Sequence, residues 1–301
     1  MCVKHGKPLV KLLVTGHEGQ VARALARLAD DDVLIVAAGR PLCDITDPKN
    51  IRRAIAEHTP DLVINTAAYT AVDRAESERD AAFLVNGDGA GYVAEAAAEA
   101  GLPVIHLSTD YVFSGDKDEP YVESDETGPL NVYGESKLAG EERVAAANPA
   151  HVILRTSWVY GYDGQNFLKT MIRLAEGRDV LRIVADQHGA PTFADDVATA
   201  LLHVSRHALR DRDDRAWRGT FHMTAEGRTS WAGFAEEIFR NLKPITGQDV
   251  SVERIATADH PTPARRLLNA HLNMERFRDV FAHRLPSSQE GTKRCIAKLC
   301  L

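Results

Sequence analysis

The chain has 301 residues, 44% hydrophobic and 26% charged, enough to bury one large α/β domain or a nucleotide-binding domain with a smaller lobe. Its 36 Lys and Arg stand against 43 Asp and Glu, a net charge of −7, so no basic stripe is available to neutralise a nucleic-acid backbone. The four cysteines (Cys2, Cys43, Cys295, Cys300) form no Cys-x-x-Cys pair and no metal-spaced cluster with His, and no run of eighteen apolar residues occurs; a reduced, cytoplasmic protein without a membrane span or a metal is expected.

Short Val/Ile/Leu-rich runs at 9–15, 33–38, 61–66, 103–108 and 152–156 read as strands buried on both faces. Between them the pattern predicts helices over 20–28, 48–57, 81–100 and 133–147, with Pro48 in a first turn behind Thr46 or Asp47 as cap. This rhythm predicts a Rossmann-type, doubly wound parallel sheet with ligands at the carboxyl ends of its strands. After about residue 160 the rhythm loosens. Helices are predicted from 164 toward 176, over 192–209 and over 230–241, with a charged link at 210–215, a further segment at 219–224 and a Pro-rich segment at 260–263. The expected division is a dinucleotide-binding domain over 9–160, with later returns to the sheet, and a smaller, mainly substrate-binding lobe over 161–290 that need not be contiguous.

Directly after the first strand stands Gly16-x-x-Gly19-x-x-Ala22. Glycine lets the backbone approach a pyrophosphate, whose charge is met by amides at a helix N-terminus, and Ala22 suits close helix–sheet packing. Alone, the spacing also fits a tight structural turn; its placement between strand and helix favours dinucleotide binding. The loop residues Gly16, Glu18, Gly19, Gln20 and Val21 form the expected pyrophosphate side, with the Glu18 carboxylate pointing to solvent. The second strand ends without an acidic residue to chelate an adenosine ribose, while Arg40 can meet a 2′-phosphate or be an ordinary surface arginine. The expected cofactor is therefore NADPH, with NADH also admissible, and Asp44 and Ile45 are spaced to cover the adenine.

Tyr133 and Lys137 lie four apart at the head of a predicted helix, hence on one face. An ammonium there favours the phenolate and lowers the phenol pKa, so Tyr133 can donate a proton to a carbonyl while Lys137 steadies the anion left behind. Thr109, at a strand end, can hydrogen-bond the carbonyl oxygen. Tyr-x-x-x-Lys is common by chance on amphipathic helices; its order behind Ser108-Thr109 and the glycine loop favours catalysis. Elsewhere blander readings prevail: His188 is a loop packing residue, Asp195-Asp196 a helix N-terminal charge pair, 81–100 a packing helix, and Glu141-Glu142 solvated surface.

The order Gly-x-x-Gly, Asn65-Thr66-Ala67-Ala68, Ser108-Thr109-Asp110-Tyr111-Val112-Phe113 and Tyr-x-x-x-Lys resembles the extended short-chain dehydrogenase/reductases. Longer stretches (68–76, 108–113, 129–134, 158–161, 166–167 and 186–192) are similar to the dTDP-4-dehydrorhamnose reductase family, over about residues 11–285. The resemblance implies hydride transfer to C4 of a dTDP-linked 4-keto-6-deoxysugar, the last step of dTDP-L-rhamnose synthesis. It implies Thr109, Tyr133 and Lys137 as the catalytic set, with Ala67, Ala68 and Tyr69 beside Tyr133 and Lys137 on the cofactor. Thr70, Val72, Thr109, Asp110 and Trp158 would then line the sugar pocket, and Asn166 and Arg266 hold the nucleotide diphosphate. Core packing for Trp158, a surface ion pair for Arg266 and a helix cap for Thr70 are the rival readings.

The chain departs from the family pattern at Leu267 and at Ala270-His271, within the substrate lobe. This keeps open another nucleotide-linked 4-keto-6-deoxysugar as substrate. A regulatory subunit resembling the beta subunit of methionine adenosyltransferase is a further alternative. A position where some members place an acidic Mg²⁺ ligand is Ala24 here, so no metal is expected. A homodimer and the order of the tail beyond Pro286 are left open.

Overall fold

The structure is a computed structural model and describes residues 9–300; Cys2 lies outside them. The first half alternates as read from the sequence. β1 (Val10–Thr15), α1 (Gln20–Ala26), β2 (Val33–Ala38), α2 (Pro48–His58) and β3 (Leu62–Asn65) come first. A one-turn α3 (Val72–Ala75), α4 (Arg79–Phe83), a π-helical stretch Leu84–Gly89 and α5 (Ala90–Glu99) follow, then β4 (Val104–Thr109), α6 (Val132–Ala147) and β5 (His151–Thr156). Asp47, rather than Thr46, caps α2 by accepting from Lys49 N.

The second half contains β6 (Val159–Tyr160), α7 (Phe167–Ala175), β7 (Val180–Val184), β8 (His188–Gly189), β9 (Thr192–Phe193) and α8 (Ala194–Arg210). After these come β10 (Gly219–His222), β11 (Thr229–Ser230), α9 (Trp231–Thr246), β12 (Ser251–Ile255), α10 (Glu275–Phe281) and α11 (Ser288–Leu299). The tail beyond Pro286 is thus a helix, and its Cys295 and Ile296 are buried.

Six strands form one sheet in the order β10-β5-β4-β3-β1-β2, every pair parallel. Strand order reverses across β1, which has β2 on one side and β3 on the other, so the crevice beyond β1 is where a doubly wound sheet accepts ligands. Leu12, Leu13 and Val14 of β1 and Leu62, Val63 and Ile64 of β3 have no solvent exposure, which explains their unbroken apolar runs. One face packs on α1, α8 and α10, with Leu25, Leu201 and Phe281 in that layer; the other packs on α2, α5 and α6 through Ile51, Val93 and Val144. A separate apolar cluster joins α7, β7, α9 and α11 through Leu168, Leu181, Phe234 and Ile296, beside the parallel pair β7–β12.

The continuous helix expected over 81–100 starts earlier and is broken by the π turn. The break has a local cause and a consequence. Asn86-Gly87 is a poor helix pair, and the turn it makes buries the Asn86 side chain. Its Oδ1 accepts from Tyr69 N at 2.8 Å, while Nδ2 donates to Tyr69 O at 3.0 Å and to Ser136 Oγ at 2.9 Å. The π turn therefore fastens the loop after β3 to α6.

Helix α6 can approach because Gly140 has no side chain: a Cβ there would lie 2.1 Å from the Asn86 carbonyl oxygen. Alanine is better than glycine by about 1 kcal/mol inside a helix, whereas overpacking against a fixed backbone costs about 1–3 kcal/mol. Gly140→Ala should accordingly lower the thermal midpoint by about 2 °C or more in a melt followed by circular dichroism; a raised midpoint would contradict this packing.

Candidate active site

The glycine loop turns where β1 ends. Gly16 has φ +80°, and a Cβ on it would meet Ala67 Cα at 2.9 Å, so both its dihedral and its neighbour require glycine. Gly19 N donates to Gly16 O at 2.9 Å, and Gly19 caps α1 without any side-chain bond to the first-turn amides. Those N–H groups are left facing the crevice, the arrangement an anion needs. Glu18 is exposed, Val21 and Ala22 are buried, and Gln20 receives the Asn166 amide at 2.8 Å.

Around the loop the other expected cofactor residues divide. Ala67, Ala68 and Tyr69 run alongside Gly16, held by the Asn86 bonds and by Ala67 N to Thr15 Oγ1 at 3.4 Å. Arg40 is exposed at the end of β2, next to Gly39, over which the His17 ring lies. Asp44 folds back on Thr46, accepting from its N and Oγ1, and Ile45 is a core residue packed against Gly89.

The carboxyl ends of β4 and the amino end of α6 bring Thr109, Tyr133 and Lys137 together. Asn131 caps α6, accepting from Gly134 N at 2.8 Å, and its amide reaches Arg265 O at 2.8 Å. A Cβ on Gly134 would lie 2.2 Å from the Tyr111 carbonyl oxygen, so the first turn of α6 sits directly on the turn that follows β4. Tyr133 thereby faces the Thr109 hydroxyl and meets Tyr111 edge-on, with ring centroids 5.5 Å apart.

Lys137 is 2% exposed. Its Nζ donates to Leu107 O at 2.6 Å and lies 3.3 Å from His106 Nε2, whose Nδ1 is 3.1 Å from Asn65. Thr15 Oγ1 then donates to Asn65 Oδ1 at 2.6 Å, which ties the lysine to the glycine loop. Burial, partly offset by Glu141, lowers the Lys137 pKa to about 8. The expectation that this ammonium depresses the Tyr133 pKa is corrected here. Burial raises the phenol, Thr109 partly opposes that, and Asp110 and Tyr111 add to it, because the lysine is turned to the Leu107 carbonyl.

Glu141 overturns the solvated-surface reading. It is 4% exposed and pairs with buried Arg155 at 2.7 Å, while Ser108 Oγ also donates to it. Arg155 Nε and Nη2 both donate to this carboxylate, which compensates much of the cost of burying the two charges, while Nη1 is buried without a partner. Helix periodicity could not reveal it, since the arginine comes from β5.

Among the residues expected at the sugar, Trp158 has φ +47°, outside the ordinary range for a non-glycine residue, and stacks on Trp231 with centroids 3.5 Å apart. Arg266 pairs with Asp73 at 2.8 Å and keeps a buried Nη1 without a partner. Thr70 is exposed and Val72 partly buried beside that pair; Thr70 does not cap α3, whose cap position is Ala71. Asn166 caps α7 through Lys169 N and donates to Gly161 O at 2.6 Å and to Gln20 of the glycine loop. Leu267 and Ala270 are buried with Val112, Phe113 and Tyr121, so these two departures from the family pattern face the core rather than the crevice. His188 backbone atoms hold Leu268 and Ala270, and Asp195 pairs with Arg27 and Lys298.

A doubly wound parallel sheet with a glycine loop behind β1 and a Tyr-x-x-x-Lys pair heading the helix after β4 defines the class: a short-chain dehydrogenase/reductase. Within it, the chain belongs to the dTDP-4-dehydrorhamnose reductase family, and residues 10–301 match the family model described as RmlD substrate binding domain. The dTDP-4-dehydrorhamnose reductase of Sinorhizobium fredii (strain NBRC 101917 / NGR234) is 49% identical over 97% of this chain and 98% of its own. The crystal structure of the Clostridium acetobutylicum dTDP-4-dehydrorhamnose reductase aligns with TM-score 0.88 and 38% identity, over 97% of this chain and 100% of that one. The Bacillus anthracis str. Ames enzyme, solved in complex with NADP, aligns with TM-score 0.88 and 34% identity, over 96% and 99%. No helix among the described residues is long and apolar enough to cross a membrane.

The depressed Lys137 pKa carries a stability consequence. Between its folded value of about 8 and the unfolded value near 10.4, the unfolded chain binds the extra proton, so this group's penalty is greatest below pH 8 and fades as pH rises. Lys137→Met should raise the urea midpoint at pH 7, a gain on the order of 1 kcal/mol or more in unfolding free energy that shrinks toward pH 10. An unchanged or lowered midpoint at pH 7 would show that the buried ammonium is fully compensated.

Proposed function

We propose that this protein reduces the 4-keto group of dTDP-4-dehydro-L-rhamnose to give dTDP-L-rhamnose, with NADPH as the preferred reductant. The observation that carries this reading is the convergence of Thr109, Tyr133 and Lys137 on one crevice with the glycine loop, in a chain whose relatives carry that name. When bound, the nicotinamide nucleotide supplies the hydride that C4 receives. The residue set fits such a group: Gly16 leaves room for close approach, and the uncapped α1 amides suit its pyrophosphate. Arg40, exposed at the end of β2, suits a 2′-phosphate.

In this mechanism Thr109 orients the carbonyl, and Tyr133 gives its phenolic proton to the oxygen as negative charge develops there. A phenol with a raised pKa is fully protonated at neutral pH, which suits a proton donor. Lys137, whose Nζ donates to the Leu107 carbonyl before substrate arrives, is the cation that can turn to the phenolate once Tyr133 has given up its proton, and the His106–Asn65–Thr15 chain holds it within the site. Trp158 and Trp231 form the flat wall against the sugar, and the unpartnered Nη1 of Arg266 is available to a phosphate oxygen. The reading carries a cytoplasmic enzyme, in keeping with its unpaired Cys43, Cys295 and Cys300.

Following NADPH absorbance with enzymatically generated dTDP-4-dehydro-L-rhamnose tests the reading. Tyr133→Phe should bind NADPH as the parent does while losing about 10²–10⁴-fold in kcat. If the parent chain binds NADPH without turnover, another 4-keto-6-deoxysugar or a regulatory role takes its place.

A further inference from the structure

The hydroxyl of Thr109 has one proton to give, and in the structure that proton is already committed. Oγ1 lies 2.7 Å from Asp110 Oδ1, with Thr109 as donor, and it accepts from Tyr111 N at 3.2 Å. A hydroxyl offers one donor and two lone pairs. Bonded to an ionised Asp110, Thr109 can present only a lone pair to a carbonyl oxygen, which is repulsive. The role expected of Thr109 and the hydrogen bond it makes are in conflict.

Asp110 itself resolves the conflict. It is 2% exposed, and its Oδ2 is buried without a hydrogen-bond partner, an arrangement costly for a carboxylate and far less so for a neutral acid. No cation is among the groups acting on it. Those facing it are Thr109 from β4, Tyr111 from the following turn and Tyr133 from α6; the Arg266–Asp73 pair lies behind Tyr111. A heavy-atom distance of 2.7 Å serves an O–H···O bond of either direction.

We propose that Asp110 works as a neutral carboxylic acid whose O–H donates to Thr109 Oγ1, turning the threonine proton toward the substrate carbonyl. Asp110 is thus a positioning residue, and its protonation state decides whether Thr109 can stabilise the developing oxyanion. No proton leaves the Asp110–Thr109 pair during the reaction; only the direction of their hydrogen bond is set. This inference rests on the reductase reading. Burial holds the Asp110 pKa up at about 7, against the pull of Thr109 and the nearby backbone amides, so the acid form dominates below neutrality and is lost above it.

The test uses the full chain with NADPH bound. In an infrared pH titration, the parent should show a carboxylic-acid C=O band that fades as pH rises through about 7 and is absent from Asp110→Asn. In kcat profiles with dTDP-4-dehydro-L-rhamnose, the parent should fall about tenfold per pH unit above that point. Asp110→Asn, whose amide donates to Thr109 at every pH, should lose that inflection and keep only the later one governed by Lys137, near 8. The proposal is overturned if no protonated carboxyl is assigned to Asp110 at any pH, or if the variant keeps the parent's inflection. Absence of turnover by the parent at every pH would instead overturn the reductase reading, with the infrared titration still deciding the state of Asp110.

Discussion

Helix α6 lies against its neighbours at a distance that only a hydrogen atom in place of a side chain permits. Gly134 faces the Tyr111 carbonyl oxygen, and Gly140 faces that of Asn86. These two contacts fix the height and rotation of the helix, and with them the positions of Tyr133 and Lys137 relative to Thr109. The same approach allows Ser136 to bond Asn86, which in turn holds the loop running beside the glycine turn. One packing distance therefore sets both the place of Tyr133 and the wall of the crevice beside the glycine loop.

Beneath this surface the protein buries more charge than its stability requires. Lys137 and Asp110 lie beside Tyr133 and Thr109, and the Glu141–Arg155 pair lies behind them against Ser108, each largely removed from water. Low dielectric surroundings strengthen every hydrogen bond there and also separate the working pKa values. The lysine comes down, the carboxyl comes up and the phenols rise. Sites that trade stability for such perturbed groups are characteristic of catalysis rather than of structural ion pairs, whose partners keep each other charged.

Much of the architecture was legible because its signals are local. Strands buried on both faces leave unbroken apolar runs, a glycine loop announces its own turn, and Tyr133 and Lys137 share a helix face through spacing alone. What escaped depends on partners distant in sequence. Glu141 reads as surface until Arg155 arrives from β5, and the four-residue β10 is too short to announce that it extends the main sheet. The π turn has a local cause in Asn86-Gly87, but its bonds to the Tyr69 backbone do not, and Ile45 is buried by a contact with Gly89 that spacing does not encode. Asn86 and His106 carried a signal of their own, a polar side chain ending or interrupting an apolar run, and both are buried behind the crevice, bonded to Tyr69 and Ser136 and to Lys137 and Asn65. Leu267 and Ala270 stood out as departures in the substrate lobe, yet their side chains turn inward, something only packing reveals.

The central claim is that this crevice brings a reduced nicotinamide and the C4 carbonyl of a nucleotide-linked sugar together for direct hydride transfer. It is tested most directly by turnover with NADPH deuterated at nicotinamide C4 on the transferring face, followed by NMR of the product. The account predicts one deuterium, at C4 of an L-rhamnosyl nucleotide. A product without deuterium, or with it at another carbon, would contradict the account.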